Sequence, residues 1–198
     1  GSVINVDFND PNNGKVLGTF TGAGRIGFSN LTAWNALEVL DTAMAGTRDL
    51  YEADGKSRRN VRVSVARQSG NIIGVRDSST LLGSWIQAAD TNDVYTFTVS
   101  GLMPGGAYGL CLYSFASGGA ADALFTVGGA SKSADEEWFL TGAPVCTCFS
   151  GVTADDEGTI TGTFTSGSET NGPAAFNGLQ ILGEFPAYIS PGTILRVR

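Results

Sequence analysis

The chain contains no histidine. That removes the commonest general base near neutral pH, every histidine-containing catalytic triad, and histidine-ligated zinc or iron. Cationic side chains are also scarce: 12 Lys and Arg stand against 19 Asp and Glu, for a net charge of −7 and a pI near 4.5. Nucleic acid is therefore not an expected partner, because phosphate binding needs a clustered cationic surface that releases counterions. No apolar run reaches the roughly 20 residues of a membrane span, so no membrane insertion is expected. The nucleophile pattern G-x-S-x-G is missing as well. Only 3 cysteines are present: Cys111, Cys146 and Cys148, enough for one internal disulfide. Cys146 and Cys148 would point to the same side of a strand, but at roughly 3.3 Å rise per residue they are poorly placed to bridge each other. Cys111 with one of them is the feasible pair. The alternative is three reduced thiols packed as small hydrophobes.

What the chain has in quantity is glycine, 28 residues of it, with only 16% charged side chains. Such a composition suits many short strands and tight turns. At 198 residues a sizeable core is affordable, and residues 3–198 read as one β-sandwich domain behind a cloning remnant, Gly1-Ser2.

The stretch from Val94 to Phe115 organises this reading. Tyr95, Phe97 and Val99 alternate with Thr96 and Thr98, the period-2 signature of a strand with one buried side. Tyr108, Leu110 and Leu112 alternate with Cys111, Tyr113 and Phe115, so this second strand is apolar on both faces and should be central. Pro104-Gly105-Gly106 marks a turn, expected to join the two as antiparallel neighbours.

Elsewhere, Val3 to Phe8 reads as an opening strand with one buried face, followed by the NDPNNG turn. Leu31 to Leu40 is expected to be a strand or irregular rather than helical. Asp54-Gly55 signals a hairpin between an acidic arm (Asp49, Glu52) and a basic arm in which Val61, Val63 and Val65 face the core and Arg62 faces solvent. Ser79 to Gln87 is the expected short helix. Strands are expected at Leu124–Val127, Val145–Val152, Gly158–Phe164 and Ala174–Leu182. The tail from Glu184 either adds an edge strand or hangs loose. The expected fold is all-β, an antiparallel β-sandwich or jelly roll with at most one or two short helices.

Several ordered phrases belong together: V-D-F-N, T-G-A-G with T-A-W-N, the A-D-G hairpin, Y-T-F-T-V-S-G-L-x-P-G-G-x-Y-G-L-x-L-Y, G-V-T-A-D-D-E-G-T-I-T-G-T-F and A-A-F-N-G-L-Q-I. This series resembles extracellular β-sandwich domains of bacterial surface and exopolysaccharide-associated proteins, including those of the PEP-CTERM type. More distantly it is similar to galactose-binding-domain-like carbohydrate-binding modules. The resemblance implies a secreted or cell-surface location, a place in a larger extracellular protein, a glycan partner and a structural calcium.

Sugar recognition needs an aromatic face against the C–H side of a pyranose and polar groups for its hydroxyls. Trp138, behind Asp135-Glu136-Glu137, is the first candidate platform, with capping of the core beside Phe139 and Leu140 as the competing role. Trp34 and Trp85 sit in apolar contexts and read as core; Tyr51 is intermediate. Lys56, Arg58, Arg59, Arg62 and Arg67 concentrate positive charge within one short segment. Arg59 and Arg62 could grip a sugar carboxylate or sulfate, although pairing with Asp49, Glu52 and Asp54 is the favoured explanation of the cluster. Asp7, Asn9 and Asp10 supply hard oxygens suited to calcium. Asp155, Asp156 and Glu157 read as a solvated turn. The function expected is non-catalytic polysaccharide binding. The alternatives are a structural or adhesive extracellular domain and, less favoured, a carbohydrate-active enzyme.

Overall fold

The computed structural model describes residues 1–8, 17–21, 32–37, 44–46, 49–76, 84–115, 123–134, 146–167 and 173–190. Among these residues fifteen strands run in chain order: β1 (Ser2–Phe8), β2 (Leu17–Thr21), β3 (Ala33–Leu37), β4 (Met44–Gly46), β5 (Arg62–Arg67), β6 (Gly74–Arg76), β7 (Ser84–Ala88), β8 (Tyr95–Ser100), β9 (Ala107–Tyr113), β10 (Ala123–Val127), β11 (Ala130–Ala134), β12 (Cys146–Thr153), β13 (Ile160–Ser166), β14 (Ala174–Phe176) and β15 (Gly178–Gly183). The described residues contain no helix. Two six-stranded sheets form, ordered β12-β9-β15-β1-β3-β2 and β11-β10-β13-β8-β5-β4, with a small third sheet β14-β7-β6. All pairings are antiparallel except β1 with β3. This is the expected all-β sandwich.

The core follows from the alternation. Ile4, Val6, Phe8, Leu110, Leu112, Leu179 and Ile181 of the first sheet meet Val63, Val65, Phe97, Val99, Phe125 and Phe164 of the second in one buried cluster. Phe176 sits at its centre, with ring centroids 4.8 Å from Phe8, 5.0 Å from Phe125 and 5.5 Å from both Phe97 and Phe164. The closing stretch breaks at Asn177, so that β14 joins the small sheet and β15 the first. Asn177 secures the break by donating N–H to Tyr113 O and accepting from Phe8 N and, on its side chain, from Phe115 N.

The structure corrects three expectations. β8 and β9 are not neighbours, because they lie in opposite sheets and the Pro-Gly-Gly connector arches between them. Both strands must bury an apolar face in the same core, and facing each other across it achieves that. The arch is held from outside: Leu102 N donates to Gly158 O, Gly105 N to Ala154 O and Ala154 N to Gly106 O. Gly101 and Gly158 carry positive φ there, and a Cβ at either would strike the backbone of Asn60 or Leu102. The expected helix over 79–87 is overturned by β7, in which Trp85 and Ile86 are both buried; residues 79–83 lie outside the described residues. β1 is covered on both faces, with Asn5 and Asp7 buried beside Val3 as deeply as its core-facing side chains.

Cys148 stands directly opposite Cys111 in the β12–β9 register and forms the disulfide with it. Cys146 stands opposite Tyr113.

Candidate functional site

Residues 49–62 form a hairpin built by its own polar residues. The Asp54 carboxylate accepts from the backbone N–H of Lys56 and Ser57 and from Ser57 Oγ, closing the turn through Gly55. Burial raises the Asp54 carboxyl, but the Ser57 and Lys56 hydrogen bonds outweigh it and hold the group below its ordinary value. The two arms join through Glu52 N to Ser57 O, Arg59 N to Leu50 O and Leu50 N to Val61 O. Tyr51 and Arg58 face each other as a cross-strand pair, which places their side chains on one side.

The acidic arm wedges between β1 and β3 where these diverge: Ala53 N donates to Val3 O, and Ala33 N to Ala53 O. Asn35 completes the joint. Its Nδ2 donates to Asn5 O at 2.8 Å and Tyr51 O at 2.7 Å, and its Oδ1 accepts from Tyr51 N at 2.8 Å. One amide thus replaces a stretch of β-ladder.

The arginines divide into two groups. Arg59 Nε pairs with Glu52 one to one, and its Nη1 donates to Pro186 O. Asp49 is shared: Arg62 Nε lies 3.0 Å from Oδ1 and Arg58 Nη2 3.4 Å from Oδ2, with Asn60 Nδ2 at 3.5 Å. The Asp49 side chain is only 6% exposed, whereas those of Arg58 and Arg62 are 39% and 59% exposed. Beside them lies the C-terminal segment. Tyr188 sets its ring 4.7 Å from the Arg58 guanidinium carbon, and Asn60 exchanges two hydrogen bonds with the backbone of Ile189.

The structure therefore brings Tyr51, Arg59 and Arg62 onto one hairpin and adds Arg58, Asn60 and Tyr188. Pairing with Asp49 and Glu52 is present, while Asp54 serves its own turn. Arg67 stands apart on β5, paired with Asp93 at 2.7 Å, a contact that raises its pKa. It borders a cleft of about 270 Å³ shared with Asp90 and Asn92. Trp34 and Trp85 are buried, as expected. Trp138, Asn9 and Asp10 lie outside the described residues. Asp7, on β1, faces away from the sandwich core. Tyr188 had no local signal, since its place is set by contacts with residues some 129 positions earlier in the chain.

A second polar group occupies the outer face of the first sheet. Tyr113 Oη donates to Gln180 Oε1, Gln180 Nε2 to Asn5 Oδ1 at 2.8 Å, and Asn5 Nδ2 to Ala33 O at 3.0 Å. Trp34 packs edge-on against Tyr113, centroids 5.7 Å apart. All these side chains are buried.

No family model matches the chain, and no curated protein matches it. Similar solved structures include the CBM36-1 domain of a multidomain xylanase from the hindgut metagenome of Trinervitermes trinervoides. The match has 15% identity over 60% of this chain and 90% of that one, with a TM-score of 0.40. The module TmCBM61, solved with β-1,4-galactotriose, matches at 12% identity over 62% of this chain and 88% of that one, TM-score 0.34. The plant receptor-like kinase FER matches at 14% identity over 95% of this chain but 43% of its own, TM-score 0.47. At such values function has to be argued from this chain's own residues.

Proposed function

We propose that this chain is a non-catalytic polysaccharide-binding module of a secreted or cell-surface protein, of the bacterial exopolysaccharide-associated kind its sequence resembles. The observation that carries the proposal is a solvent-facing group of Arg58, Arg62 and Asp49-bound Asn60 on the 49–62 hairpin, with the half-buried Tyr188 of the C-terminal segment packed beside Arg58. Aromatic area and planar, forked hydrogen-bond donors are what sugar rings and their substituents require. A secreted or surface location draws support from the Cys111–Cys148 disulfide, because such bonds persist in oxidising compartments. A place within a larger extracellular protein belongs to the same proposal. With a net charge of −7, nucleic acid is not a proposed partner. No helix among the described residues is long and apolar enough to cross a membrane.

Structural calcium at Asp7, with Asn9 and Asp10, is also proposed. Asp7 is 1% exposed, and a carboxylate so deeply placed has to be neutralised by hydrogen bonds, a proton or a cation. Among the described residues no group of three or more acidic or cysteine side chains comes together to hold a metal, so Asn9, Asp10 and their neighbours, which lie outside those residues, would have to supply the remaining ligands.

Affinity electrophoresis against a panel of polysaccharides, with a reducing-end assay on the same mixtures, tests the glycan reading. Retardation without new reducing ends is the expected result. New reducing ends would make the chain an enzyme, and a blank across the panel would leave the structural or adhesive alternative.

A further inference from the structure

The two arginine arrangements on the hairpin differ in stoichiometry. Arg59 and Glu52 form a closed one-to-one pair that also reaches Pro186 O. Around Asp49, two guanidiniums meet one carboxylate. A buried carboxylate needs one charged partner, which Arg62 at 3.0 Å already supplies. Arg58 Nη2 at 3.4 Å and Asn60 Nδ2 at 3.5 Å are both longer contacts to the same carboxylate, so two guanidiniums share one negative charge and one positive charge is left in excess.

The donor inventory agrees. A guanidinium offers five N–H donors. Arg62 commits only Nε among the described residues, on a side chain 59% exposed. Among the described residues Arg58 commits only one Nη2 bond, on a side chain 39% exposed, while its Nε is buried and not open to a ligand. The shared carboxylate ties both side chains down, so each spends part of its rotamer entropy in the free protein and has less to lose on binding. Tyr188 stacks against Arg58 and is half-buried, leaving ring area at the rim of the same patch.

Resting on the glycan-binding reading above, we propose that Arg58 and Arg62 form a subsite for one anionic substituent of an acidic polysaccharide, a uronate carboxylate or a sulfate ester, with Tyr188 packing against the sugar that carries it. The excess charge matches a single anion. Exposed acidic residues farther than a Debye length of about 8 Å at physiological ionic strength do not oppose this, because their charges are largely screened.

The test compares the full chain with Arg62→Gln, Arg58→Gln and Tyr188→Ala on three probes: alginate for carboxylate, dextran sulfate for sulfate and a neutral β-glucan. Arg62 is exposed enough for its variant to fold, and unchanged melting confirms this for each protein. The expected result is binding to alginate, dextran sulfate or both, weakened about tenfold or more by either arginine change. A several-fold loss is expected from Tyr188→Ala, with marked weakening in high salt. Which acidic probe binds decides between carboxylate and sulfate. Acidic binding untouched by both arginine variants overturns the subsite. So does binding to the neutral glucan alone, which leaves the glycan reading standing. Absence of binding to all three sinks both.

Discussion

Gln180 and Arg62 are both polar side chains on strands, and they live under opposite conditions. Gln180 lies on the outer face of the first sheet, buried, with its amide oxygen taken by Tyr113 and its nitrogen given to Asn5. Arg62 lies on the second sheet, exposed, with one bond to a carboxylate that Arg58 also claims. In the first region donors and acceptors are matched and water is excluded, so a lost partner leaves a desolvated group behind and costs stability. In the second, donors outnumber acceptors among the described residues, and those of Arg62 face solvent. Matched polar groups specify the fold, and surplus ones facing solvent are available to a ligand. Substitutions in the two regions should therefore separate stability from binding.

The largest effect is expected where the regions join. Asn35→Ala removes three hydrogen bonds at once and strands Asn5 O and both backbone groups of Tyr51. At about 1 to 3 kcal/mol for each unsatisfied buried group, with incomplete additivity, the loss should come to about 3 to 4 kcal/mol. Urea unfolding should show the midpoint falling with its slope unchanged. A loss under about 1 kcal/mol would mean that water replaces the amide and that the joint is not closed.

The sequence announced some of this and concealed the rest, for identifiable reasons. Val61, Val63 and Val65 alternate with polar residues, and their burial and the exposure of Arg62 follow from a period of two. Opposed acidic and basic arms around Asp54-Gly55 suffice to read the pairing with Asp49 and Glu52, but not that Asp54 is spent on its own turn. The β8–β9 arch was not readable, because Pro-Gly-Gly specifies a reversal without saying which sheet receives the next strand. Nor does alternation reveal whether the outer side of a strand is covered. Asn5 and Asp7 looked like a solvent face and are buried. A helix over Ser79–Gln87 rests on a serine N-cap ahead of Leu81, Leu82, Trp85 and Ile86, but a strand covered on both sides gives the same adjacent apolar pair at Trp85 and Ile86. Tyr188 follows Pro186 in a tail whose position only its long-range partners determine.

Asp7 offers a way to sharpen the comparison, since it places a carboxyl group on the closed face. If calcium is what neutralises it, saturating metal at about 100 times its dissociation constant should add about 2.7 kcal/mol, or about 5 to 10 °C in melting temperature for a chain of this size. Chelation should remove that increment, added calcium should restore it, and Asp7→Asn should blunt the response. A melting curve indifferent to chelator, with no metal by elemental analysis, would place Asp7 in the same purely hydrogen-bonded class as Gln180.

The smallest effect belongs to the open region, at Asp54. Its carboxyl is held below the ordinary value: burial opposes ionisation, and the Ser57 and Lys56 contacts more than compensate. A carboxyl with a depressed folded-state pKa contributes stability that is present above its unfolded value of about 3.9 and disappears as pH falls through the lower folded value. The contribution of this group should thus be constant from neutrality to about pH 5 and decline only in the acid limb. Asp54→Ala should cost under about 1 kcal/mol at pH 7, because water reaches the freed Lys56 and Ser57 amides. It should also flatten the stability profile below about pH 4 relative to the parent chain. If Asp54→Ala instead destabilised the chain as much as Asn35→Ala, the turn would belong with the closed region, and the 49–62 hairpin would have to be regarded as part of the core structure rather than as a surface presented to a ligand.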